Sequence, residues 1–325
     1  MFGLRADGKK LKRIDPIQKI MPHIMSARHD SQNLAKYEVR CEPFDAFISE
    51  EREKGIGINY MHLVIAGLVR TIAKKPRLNR FIMNGRIFRR TGGIYISFVV
   101  KRKLSANAAD STVKVCFTGH ESIYDVKNMV DEAIKSVNAQ DDKNGTDKLA
   151  TLLTIVPNSI IKFLVWCLKK LDKHGLLPGS ILKLSPFHTS CFVTNLKSIK
   201  GEYIYHHLYD FGTTSLFVSM GKEKMVPVVD DDQVVPGKVM TLGVVTDERF
   251  CDGFYYISAL KMLKEFYQNP KLLCERLETV EEDIPFDYKK SKKEAKEKRK
   301  KTIRKSRDKE TKKKNKVILN VFKQH

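Results

Sequence analysis

The most regular run of apolar positions lies at residues 59–75, where His62, Ile65, Ala66, Val69, Ile72 and Ala73 recur at spacings of three and four until Pro76 breaks the pattern. That spacing predicts a helix with one buried face. Downstream the period changes: residues 85–90 lead through Gly92-Gly93 into Ile94-Tyr95-Ile96-Ser97-Phe98-Val99-Val100, whose β-branched and aromatic side chains predict a strand pair. Residues 112–117 read as a further strand, and Ser122 caps a helix over 123–137. A polar loop at 141–147 precedes the most apolar stretch, 150–168. Pro157, Asn158, Ser159 and Lys162 interrupt that stretch, so it predicts a helix running to about Asp172 and not a membrane span. After a turn at 175–179, residues 190–196, 216–220 and 239–246 predict strands, and a last helix covers 253–267 with Pro270 beyond its end.

Helices and strands interleave without a regular βαβ period and without a glycine phosphate fingerprint, which argues against dinucleotide and P-loop folds. A mixed β-sheet covered by helices on one face fits the order better. The length of 325 residues and the 42% apolar content allow a large core. A net charge of +22 would point to a polyanion partner if the folded body carried it. Residues 289–316 hold 17 Lys/Arg against 4 Asp/Glu, which leaves about +9 for the rest of the chain. Two readings of this tail stand: a solubilising appendage, or a contact for RNA, DNA or anionic lipid that weakens with salt. The expected organisation is a basic segment 1–14, a folded domain 15–285 and the basic tail 286–325. Six scattered cysteines without a CxxC pair or clustered histidines predict neither a disulfide framework nor a metal site. The basic first residues lead into no apolar signal core, so a cytoplasmic protein is expected, in which the Asn144 sequon would stay unmodified.

The most informative segment is Thr246-Asp247-Glu248-Arg249-Phe250-Cys251-Asp252-Gly253-Phe254, between a buried strand and the last helix. It resembles the signature of the superfamily of chloramphenicol acetyltransferases and 2-oxoacid dehydrogenase acyltransferases, in which a histidine is followed after three residues by Asp-Gly. Upstream, Cys191-Phe192-Val193-Thr194-Asn195-Leu196 resembles the family's hydroxyl-bearing strand and Val218-Ser219-Met220-Gly221-Lys222 its Met-Gly-Lys strand. Residues 59–68 with Lys75-Pro76-Arg77-Leu78-Asn79 are similar to its helix and Pro-x-Leu-Asn turn. An isolated Asp-Gly only marks a turn. Four segments in family order, over residues 15–270, imply the α/β two-layer sandwich of these enzymes, a homotrimer with its sites between subunits, and coenzyme A or acyl-CoA as substrate.

In the family a histidine deprotonates a thiol or hydroxyl acceptor, which attacks a thioester, while a nearby hydroxyl stabilises the oxyanion. The resemblance places Thr194 at the hydroxyl position; a strand threonine satisfied by backbone is the other reading of that residue. It implies that Asp252, beside Gly253, is a buried scaffold carboxylate paired with an N-terminal arginine, for which Arg28 is the candidate. At the reacting position stands Glu248. Carboxylates titrate near 4.3 and thiols near 8.5, so a carboxylate is an ineffective base unless its surroundings raise it. His206 and His207, set among aromatics, are the candidate substitutes, or else packing and trimer-contact residues. Two function classes therefore follow: an acyltransferase with an altered base, and an inactive scaffold or ligand-binding relative.

Overall fold

The computed structural model describes residues 5–101, 110–139 and 156–283. The basic tail, the loop at 141–147 and the sequon lie outside them. Contacts divide the chain into two units, Met1–Leu11 with Gln18–Asp283 and Lys12–Ile17 with Ile284–His325. The first carries the fold.

Its strands are β1 (Gly8–Lys10), β2 (Gln32–Arg40), β3 (Arg80–Met83), β4 (Arg86–Arg90), β5 (Ile94–Lys101), β6 (Asp110–Phe117), β7 (Cys191–Asn195), β8 (Leu216–Asp230) and β9 (Gln233–Asp247). The helices are α1 (Pro16–Ile24), which begins in the second unit, α2 (Glu42–Glu53), α3 (Tyr60–Lys74), α4 (Ile123–Ala139), α5 (Asn158–His174), α6 (Gly179–Leu184) and α7 (Gly253–Gln268). A six-stranded mixed sheet runs β2-β9-β8-β7-β5-β6, parallel only where β7 joins β5 and β8, beside a three-stranded sheet β1-β4-β3. The expected α/β sandwich is present.

Strand alternation divides the large sheet into two faces. Ile96, Cys191 and Leu216 lie in one row and Phe98, Val193, Val218 and Val244 in the next, all buried on the helix-covered face. Helices α2, α3 and α7 meet there around Tyr267, whose hydroxyl donates to the Val64 carbonyl at 3.0 Å and whose ring stands edge-on to Phe44. Gly67 makes this packing possible: a β-carbon there would sit 2.3 Å from the Tyr267 ring. Asn59 starts α3 by accepting from the His62 amide, while the His62 ring accepts the Asn59 amide in return. The body closes on a buried pair in which Arg80 grips Asp283 through two nitrogens, at 2.6 and 2.8 Å.

Lys114 on β6 reaches the carbonyls of Leu182 and Ser185, at 2.8 and 3.0 Å, tying α6 to the sheet edge. Burial brings its ammonium down to about 8. An unfolded-chain lysine titrates near 10.4, so between about pH 8 and 10 the unfolded chain binds more protons and this group makes stability rise with pH. Lys114→Met should therefore lose ground to the wild type as pH rises from 7.5 to 9.5, read as the difference between the two melting temperatures. Buried thiols such as Cys251, pushed up to about 12, act in the opposite direction but equally in both proteins and cancel in that difference.

Candidate active site

The second face of the large sheet carries Ser97, Phe192, Phe217 and Val245 in one row and Thr194, Ser219 and Gly243 in the next. Residues 201–211, which form no regular element, lie across it as a strap. Ser219 Oγ accepts the Ile204 amide at 3.2 Å and donates to the Ile204 carbonyl. Gly243 permits this approach, because a β-carbon there would fall 2.2 Å from the Ile204 oxygen. Leu208 closes an apolar cluster with Phe192, Phe217 and Val245.

His206 stacks on Phe217 with centroids 4.0 Å apart, and its Nδ1 lies 2.9 Å from the His207 carbonyl oxygen. Burial lowers its pKa, so the ring is neutral at neutral pH. In the tautomer that donates from Nδ1, the lone pair is on Nε2, the arrangement a general base needs. His207 is exposed and stacked on His206. Because the strap is irregular, the two rings do not point to opposite faces as they would in a strand but lie together. Thr194 is half-buried, in register with Ser219.

At the end of β9 the chain turns sharply under electrostatic control. The Asp247 carboxylate is fully buried and accepts from Arg249 three times, at 2.8 and 2.6 Å from the guanidinium and 3.1 Å from the amide. Ser31 adds a long contact to Asp247 Oδ1 at 3.4 Å, and Arg249 also donates to the Met25 carbonyl at 2.9 Å. Glu248, held between them, is half-buried, with its amide bonded to the Ser31 carbonyl at 3.0 Å. Asp247, Arg249 and Ser31 carry a role that the sequence reading missed; its signal was the Asp-x-Arg pair flanking Glu248.

The expected pair between Arg28 and Asp252 is absent. Arg28 is buried, which lowers its pKa against the favourable charge of Asp247, and its guanidinium donates to the carbonyls of Tyr209, Asp210 and Ile82 at 3.0 to 3.1 Å. It clamps the strap to β3. Asp252 is a helix cap: its Oδ1 accepts the Tyr255 amide at 2.8 Å, its side chain is 54% exposed, and its nearest cation is Arg77 at 3.8 Å. Arg77 lies over the Tyr255 ring in turn. Gly253 has open space where a β-carbon would project, so packing does not demand glycine there.

Glu248 and Thr194 do not meet within one protomer. Glu248 lies five residues beyond Gly243, which shares a row with Thr194, so at about 3.4 Å per residue and 4.8 Å per strand the two are on the order of 20 Å apart. Beside the Glu248 turn opens a cleft of about 490 Å³ walled by Arg28, Asn84, Lys169, Lys173, Asp210 and Arg249. Its lysines suit a phosphate-bearing ligand, and its size is that of small-molecule sites. Among the described residues no His, Cys, Asp or Glu group is placed to hold a metal, and no helix is long and apolar enough to cross a membrane.

Residues 190–275, which include Thr194, the strap and the Glu248 turn, match the family described as 2-oxoacid dehydrogenases acyltransferase (catalytic domain). A sequence comparison with curated proteins finds no match. Among solved structures, a probable dihydrolipoamide acetyltransferase from Listeria monocytogenes is 14% identical, with 84% of this chain and 97% of that chain covered and a TM-score of 0.51. The dihydrolipoamide acetyltransferase of Azotobacter vinelandii and the cubic core of a pyruvate dehydrogenase multienzyme complex are each 13% identical, covering 80% of this chain and 92% of theirs at a TM-score of 0.52. At these identities the likeness is one of fold. The segment holding the candidate site thus matches the 2-oxoacid dehydrogenase acyltransferase catalytic-domain model, on a chain whose fold is like that of the dihydrolipoamide acetyltransferase cores.

Proposed function

We propose that this protein transfers an acyl group between coenzyme A and an acceptor not yet identified, in the cytoplasm, at sites completed by neighbouring subunits of a homotrimer. The observation that carries the reading is the separation of the two halves of the site. Glu248 sits on a turn locked by Asp247 and Arg249, while Thr194 lies on the strap-bearing face of the sheet on the order of 20 Å away. Only a second protomer can bring such halves together. Glu248 is then the general base from one subunit, Thr194 the hydroxyl that stabilises the oxyanion, and His206 a second proton acceptor, with His207 at its back. Lys169 and Lys173 in the cleft meet the phosphates of acyl-CoA. Asp252, Gly253, Arg28 and Arg77 hold the loop, helix and strap in place. The basic residues 286–325 form an appendage for polyanion contact.

The test is acyl-CoA with a free thiol, followed by CoA release. Glu248→Ala should lower turnover by about 10²–10⁴ and Thr194→Ala by about 10²–10³, with the oligomer unchanged by light scattering. A monomer in solution, or wild-type turnover in both variants, overturns the reading. A second reading, a non-catalytic scaffold, rests on the resemblance, which sets the carboxylate of Glu248 at the position of the family's imidazole. Absence of both turnover and CoA binding by calorimetry would select it.

A further inference from the structure

Helix α5 has an unusual place in this fold. Of its 17 residues only Asp172, in the last turn, is buried. That carboxylate is held by Arg5 at 2.8 Å and by His188 Nε2 at 3.2 Å, and Arg5 also bonds the Asp172 carbonyl. The helix is thus fastened to the body at its C-terminal end. Along the rest of its length apolar side chains face outward, with Phe163 61% and Trp166 54% exposed and Ile160, Leu164, Val165 and Leu171 similarly uncovered. On the next helix, α6, Leu184 is 83% exposed as well. Single exposed leucines need no explanation, but a contiguous apolar surface of this kind marks a contact.

The charges identify what that contact is. Residues 156–185 contain five lysines, Lys162, Lys169, Lys170, Lys173 and Lys183, and a single acid, the buried Asp172. At 100° per residue, Ile160, Leu164, Leu168 and Leu171 fall on one side of the helix and Lys162, Lys169 and Lys173 on the opposite side. Phe163 stands at the border between them, stacked on Trp166, which lies on the lysine side with the Lys170 ammonium over its ring at 5.6 Å. The same segment of a second copy would offer these lysines no exposed acid to pair with. An apolar stripe backed by a lysine-rich polar face, with an aromatic at the boundary, matches instead the interface of a bilayer bearing anionic headgroups.

We propose that α5, continued by α6, is a membrane-surface anchor that lies in the headgroup region of an anionic bilayer without crossing it. The inference does not depend on acyl transfer: Lys169 and Lys173 also wall the cleft, but the apolar stripe, Lys162, Lys170 and Lys183 lie outside it.

Trp166 is the only tryptophan of the chain, so its emission reports this surface alone. The full-length protein is titrated with vesicles of phosphatidylcholine, and of phosphatidylcholine with phosphatidylglycerol, while emission and co-sedimentation are followed. A blue shift with the anionic vesicles, weaker with the zwitterionic ones and reduced by salt, is expected. Leu164→Glu should weaken partitioning about tenfold or more with an unchanged melting temperature, while Val229→Glu, on an exposed strand elsewhere, should bind as the wild type does. Three results overturn the proposal. They are co-sedimentation without any change in Trp166 emission, which assigns binding to the basic tail; a blue shift that grows with protein concentration in the absence of lipid, which assigns the patch to a second copy; and emission already blue in buffer and indifferent to vesicles.

Discussion

Glu248→His is expected to speed acyl transfer from acyl-CoA to a thiol by about tenfold, because general-base efficiency rises with base strength in Brønsted fashion. An imidazole titrates near 6.5, about two units closer to a thiol near 8.5 than a carboxylate near 4.3. The substitution sets an imidazole in a turn whose neighbours stay in place, because Asp247 and Arg249 bond to each other and the Glu248 amide bonds to the Ser31 carbonyl. The gain should vanish when Thr194→Ala is added, since the oxyanion would lose its donor. A folded Glu248→His protein no faster than the wild type would remove Glu248 from the reacting position and leave the scaffold reading in its place.

Asp247→Ala should cost about 3–5 kcal/mol, the penalty for stripping one partner from a buried ion pair. Arg249, with its side chain only 3% exposed, would be left with the Met25 carbonyl as its remaining acceptor. For a body of this size the loss corresponds to a fall in melting temperature on the order of 10 °C. Replacing both partners, Asp247→Leu with Arg249→Met, should recover part of that, because Arg249 is then gone with its partner while the buried Arg28 still loses the favourable charge of Asp247. If the single variant melts within 2 °C of the wild type, roughly 1 kcal/mol or less, the pair is not what holds the turn. Turnover should fall in the double variant even where stability returns, because the turn would no longer present Glu248.

Those elements whose own residues dictate them were legible in the sequence. Helix α3 follows from its spacing, its Asn59 cap and Pro76, and the β4, β5 and β7 strands from β-branched and aromatic runs. Thr194 and Glu248 could be placed on their elements because local motifs surround them. What escaped depends on contacts between residues far apart in the chain. Arg28 could be chosen as a partner for Asp252 only by analogy; its real acceptors are main-chain carbonyls of the strap and β3, which have no sequence signature. Asp252 itself reads equally well as a cap or as a buried carboxylate until its exposure is known. The strap has no period, since Arg28, Ser219 and the small volume of Gly243 position it. Strand β2 escaped because Leu34, Lys36 and Glu38 form a mixed row that is not buried.

The β8–β9 hairpin is another such case, and it bears on solubility. Beyond the sheet, β2 stops at Arg40 opposite Val239 and β7 at Asn195 opposite Met220, so the remainder of β8 and β9 forms a two-stranded arm with both edges open. Val229 and Val234 lie exposed near its tip. Such an arm invites other chains to add strands. Pro227 stands directly opposite Pro236, and neither has an N–H to offer, so each outer edge lacks a donor midway along the arm. The same prolines that disguise these strands in the sequence protect the arm against fibre-like stacking, and exchanging both for valine should make the protein prone to aggregate while leaving its fold intact.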